Sequence, residues 1–84
     1  MTKFSLAILE VLSNEDITVA SKSMSIPQII ERIPEKQRKS YSTTYRHLLN
    51  MVEKGYVKIG LDDGAASTYW LDKPGETFLQ AQYK

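Results

Sequence analysis

The sequence predicts an α+β domain in which three helices build the core and a β-hairpin and a short C-terminal helix complete it. Three observations carry this prediction. Apolar residues recur at helical spacing up to Gly55, the period switches to two beyond it, and capping or turn residues divide the chain at each change. A chain of 84 residues, 42% hydrophobic and 25% charged, with no cysteine, has one small core and no disulfide or thiolate support for it. A single domain spanning residues 1–84 follows.

Phe4, Ile8, Val11 and Leu12 share one side of a first helix, from Lys3 to about Leu12, with Thr2 as its cap and Ser13-Asn14 as its end. Leu6 and Leu9 fall on the other side, so this helix needs cover on two faces. The alternation of Ile17, Val19 and Ala20 with Thr18 suggests a short strand in the loop that follows. Ser25-Ile-Pro-Gln28 spells a capping box, and Ile26, Ile29, Ile30 and Ile33 form the apolar face of a short second helix ending before Pro34. After a charged turn, Ser40 caps a third helix that runs to Lys54 and stops at Gly55. Steps of 100° gather Tyr41, Tyr45, Leu48 and Val52 into an expected buried stripe; Lys39, Thr43, Arg46 and Asn50 lie opposite, with His47 at the margin. Tyr56 to Ile59 and Ser67 to Leu71 read as hairpin strands around a tip at Leu61 to Ala66, with Tyr69 and Trp70 on opposite faces. Asp72 caps a last helix through Tyr83, with Phe78 and Leu79 as its main apolar residues.

Several function classes are disfavoured by composition. The longest aliphatic run, Leu6 to Leu9, is closed by Glu10, too short for a membrane span or for a secretory core of about 7 to 15 residues. A cytoplasmic protein is expected. One histidine and no cysteine leave a metal site only carboxylates, and Gly55, Gly60, Gly64 and Gly75 form no phosphate-cradling loop. No metal, cofactor or catalytic residue is therefore expected. His47 is within helical reach of Thr43 and Thr44, but nothing nearby in the sequence supplies an orienting acid or an oxyanion site.

The net charge of +1 is unevenly divided. Residues 1–31 carry −2, Arg32 to His47 carry +4, and residues 48–84 carry −1, so the positive charge collects at the entrance to the third helix.

The order of helix, strand, helix, tight turn, helix, hairpin and helix is that of a winged helix-turn-helix. The segments Ser42-Thr-Thr-Tyr-Arg-His-Leu-Leu-Asn-Met-Val-Glu-Lys-Gly-Tyr-Val57 and Tyr69-Trp-Leu-Asp-Lys-Pro-Gly75 resemble small bacterial and archaeal winged-helix regulators of the broad PadR, MarR and ArsR type. The resemblance covers nearly the whole chain and is strongest at Leu48, Val52, Gly55, Val57, Tyr69, Leu71 and Gly75. It implies that Gln28 to Ile33 is the positioning helix, Tyr41 to Lys54 the recognition helix and Leu61 to Ala66 the wing. Where such wings often carry Arg or Lys this one has Asp62 and Asp63, so the wing is expected to add little phosphate contact.

Physical chemistry supports the same role for the third helix, whose N-terminal N–H groups and dipole attract anions. Double-stranded DNA is the expected partner, met by Lys36, Arg38, Lys39, Ser40, Ser42, Thr43, Arg46, His47 and Asn50. Arg46 suits guanine, Asn50 adenine, and Thr43 a thymine methyl or a phosphate. A second reading stays open: the near-zero net charge and acidic wing suit a winged-helix module for protein–protein assembly without direct DNA binding. One domain covers one half-site, so a homodimer is expected, with Leu6, Leu9, Leu79 and Tyr83 as its interface. The rival arrangement folds Leu79 and Tyr83 over Leu6 and Leu9 within one chain. A chain of this size leaves little room for a small-molecule effector pocket, and none is expected.

Overall fold

In the computed structural model, which describes residues 2–62 and 67–83, the helical elements are α1 (Lys3–Asn14), α2 (Ile26–Arg32), α3 (Tyr41–Glu53) and α4 (Lys73–Ala81). The strands are β1 (Met24–Ser25), β2 (Val57–Asp62) and β3 (Ser67–Leu71), and short 3-10 turns occupy Ala20–Lys22 and Glu35–Gln37. This is the α+β, winged helix-turn-helix architecture expected from the sequence.

Local chemistry sets the boundaries. The Thr2 hydroxyl accepts the Ser5 amide at 3.2 Å and opens α1. Ser25 and Gln28 form both halves of the capping box at α2, through bonds of 3.4 and 3.0 Å. The Ser40 hydroxyl accepts the Thr43 amide at 3.2 Å and opens α3. Gly55 closes that helix at φ +80°, in the left-handed region that favours glycine.

The sheet is antiparallel in the order β1-β3-β2, with Met24 opposite Tyr69, and Val57 opposite Leu71. Ile8, Leu12, Ile29, Ile33, Leu48 and Met51 are buried between the three helices, and Val57, Tyr69 and Leu71 close the core from the sheet. Tyr69 faces inward, and Trp70, on the other face, is only partly covered.

Three expectations need correction. The loop after α1 forms its strand at Met24–Ser25 instead of Ile17 to Ala20. Ile17 is nonetheless buried, and its carbonyl accepts the Leu71 amide at 2.7 Å, so the segment is tied to the C-terminal end of β3. Secondly, Tyr41 and Tyr45 are 52% and 42% exposed, and α3 buries Thr44 and Met51 beside the expected Leu48. The buried stripe is turned by roughly 60° from the expected one. Thr44 tolerates burial because its hydroxyl donates to the Ser40 carbonyl at 2.9 Å.

The third correction concerns α4, which packs on α1 within the chain. Leu9 is wholly buried and Leu79 is 5% exposed, so both serve the core of the single chain. Leu6 is partly buried, and Tyr83, 67% exposed, donates its hydroxyl to the Glu10 carboxylate. Gly75 lets α4 come this close to the sheet, since a Cβ there would collide with the Tyr56 carbonyl and the Leu71 side chain. Among the described residues no helix is long and apolar enough to cross a membrane.

Candidate nucleic-acid interface

Two grooves adjoin along the N-terminal half of α3. The first, about 400 Å³, is lined by the α1 cap Thr2, by Ser5 of α1 and by Thr43, Arg46, His47 and Asn50 of α3. The second, about 390 Å³, is lined by Lys3, Phe4, Lys36, Gln37, Arg38 and Lys39. Phe4 connects them: His47 meets its ring edge-on with centroids 5.0 Å apart, and the Lys39 ammonium lies 5.8 Å from its centroid. Among the described residues, no acidic one lines either groove.

The nine residues expected to meet DNA divide by what they already hold. Ser42, Arg46 and Asn50 are exposed on α3, and Lys36 is exposed on the turn before it. Arg38 is partly committed, because its Nε donates to the Ile33 carbonyl at 2.8 Å and its Nη2 to the Glu31 carbonyl at 2.9 Å. It therefore ties down the C-terminal end of α2, where carbonyls lack helical partners. Ser40 and Thr43 share the α3 cap, the Ser40 hydroxyl donating to Thr43 Oγ1 at 3.0 Å.

His47 is half-buried, with Nδ1 2.8 Å from the Ser5 hydroxyl. Its burial first, and then the nearby charges of Lys39 and Arg46, hold its pKa below the ordinary imidazole range. The neutral ring is thus the ground state near neutral pH.

The sequence reading missed Thr2, Phe4 and Ser5, which a helix docking over α3 brings to the site from some forty residues away. It also missed the exposure of Tyr41 and Tyr45, which adds two phenols to the solvent face of α3. A threonine at position 44 with a carbonyl four residues back to receive its hydroxyl was the available hint for that rotation. Asp63 and the rest of the expected wing tip, residues 63–66, lie outside the described residues.

No protein-family model matches the chain, and no curated protein matches its sequence. Solved structures do resemble it. The DNA-binding TubR fragment of Clostridium botulinum superposes with a TM-score of 0.75 at 24% identity, covering 98% of this chain and 96% of that one. A candidate DNA-binding protein of Ralstonia eutropha gives 0.77 at 17% identity, covering 100% and 99%. The protein AF1382 of Archaeoglobus fulgidus gives 0.74 at 17% identity, covering 99% and 84%. At these identities the likeness is one of fold, and it extends over essentially the full length of this chain.

Proposed function

We propose that this protein is a sequence-specific double-stranded-DNA-binding transcriptional regulator that places α3 in the major groove. The observation that carries the reading is the meeting of two features at one end of the molecule. The exposed face of α3 offers Ser42, Arg46 and Asn50, and the groove beside its N-terminal end offers Lys3, Lys36 and Lys39. Lysines at that position suit phosphates, while the side chains of α3 suit base edges. Two neighbours in fold, one named as DNA-binding and one as a candidate for it, support the same reading.

A homodimer belongs to the proposal because one domain presents one recognition helix and useful specificity takes two half-sites. Of the four residues first assigned to its interface, Leu6 and Tyr83 are those that reach solvent. The alternative, an assembly module that contacts only protein, draws on the net charge of +1 and on exposed Tyr41 and Tyr45.

Titration of a labelled random-sequence duplex at two salt concentrations separates these readings. The DNA-binding reading expects saturable binding that weakens steeply with added salt, as counterion release requires. An absence of binding at low salt would favour the assembly module.

A further inference from the structure

The groove between α1 and α3 is built by two elements, and only one of them belongs to the helix-turn-helix. Among the described residues six polar side chains line it, none of them acidic. Ser5, itself buried, holds Nδ1 of His47, and Phe4 supports the ring edge-on, so the imidazole is oriented before any ligand arrives. Its Nε2 has no hydrogen-bond partner among the described residues. Arg46, exposed on the same groove, likewise makes no ion pair among them.

We infer that this groove seats a backbone phosphate of the bound duplex, with Thr43 as a donor and His47 as the group that takes up a proton when the seat fills, while the Arg46 guanidinium is left to a base edge. The inference rests on the DNA-binding reading and adds α1 to it as a second wall of the interface. A helix lying in the major groove has strand backbones on both flanks, and α1 occupies one flank of α3. A base edge carries no net charge and acts on His47 only through a hydrogen bond, whereas a phosphate adds a full negative charge beside the ring.

The charges acting on the ring are all of one sign. Lys39 reaches it from the segment before α3 and Arg46 from α3 itself, whereas α1 contributes the uncharged Phe4 and Ser5, with Lys3 in the adjoining groove. Burial and these cations favour the neutral ring in the free protein. A phosphate in the groove offsets the cations and favours the imidazolium. Binding should therefore take up a proton, and duplex affinity should rise as pH falls between the free and bound midpoints.

His47 is the sole histidine of the chain, so its ring resonances can be followed without mutation. Its titration is compared by NMR in the free 84-residue chain, with a random-sequence duplex, and with inorganic phosphate alone. The expected free midpoint lies below about 6.5, and the duplex raises it by about one unit or more, equivalent to about a tenfold gain in affinity across that interval. Inorganic phosphate at millimolar concentration is expected to leave the midpoint in place. An equal shift with phosphate alone would make the groove a free-anion site and overturn the duplex inference. If the duplex moves the backbone resonances of α3 but not the His47 midpoint, the phosphate seat is wrong and the DNA-binding reading stands. If the duplex moves no resonance, both fall.

Discussion

Arg38 and Arg46 bring the same guanidinium to different tasks within one basic window. Arg38 binds two carbonyls at the end of α2, so Arg38→Ala is expected to destabilise the fold by about 1 to 2 kcal/mol, seen as a lower thermal midpoint. An unchanged midpoint would return Arg38 to the list of DNA contacts. Arg46 is exposed and unpaired among the described residues, so Arg46→Ala should cost about 1 to 3 kcal/mol on a selected site and relax one base position. Lys39→Ala should weaken all duplexes alike, and equal losses for both variants on selected and random DNA would mean that Arg46 reads no base. His47 supplies a pH dependence of the fold itself. Its pKa is lower folded than unfolded, so the unfolded chain binds the extra proton. Stability should be intact above about pH 6.5 and decline as pH falls below it, and in His47→Gln that part of the decline should be missing from denaturant midpoints. The clustering of cations was legible in the sequence. Which cation serves the fold was not, because Arg38 is bound to backbone carbonyls that only the path of the chain brings near.

At the scale of elements, every helix was legible because each carries its own start signal: Thr2, Ser25, Ser40 and Asp72 all cap as their spelling suggests. Rotation about the helix axis was less legible. Periodicity finds an apolar stripe but weighs a tyrosine like a leucine, and the buried face of α3 went instead to Thr44 and Met51. The two-sided apolar character of α1 was legible, while its cover was not, since an apolar face can be covered equally well from the same chain or from a second copy. The structure supplies the cover from α4. Leu9→Glu is therefore expected to unfold the protein, at a cost of about 3 kcal/mol or more, because it buries an unpaired carboxylate. Circular dichroism with sedimentation checks this; a folded monomer arising from a wild-type dimer would restore Leu9 to the interface.

For the whole molecule, the winged helix-turn-helix order was legible because it follows from the sequence of periods and breaks alone, and three solved structures share it. The candidate site was legible only where it lies on contiguous chain. Residues 36–50 were found by charge and helical phase, whereas Thr2, Phe4 and Ser5 join it through the packing of α1 against α3. If this composite surface meets DNA, the footprint of duplex-induced shifts on the backbone amide resonances traces it directly. Shifts are expected to concentrate at residues 2–5, at residues 36–39 and along the exposed face of α3 from Ser42 to Asn50, with α4 unmoved. A footprint centred on α4, or no footprint at low salt, would contradict that expectation.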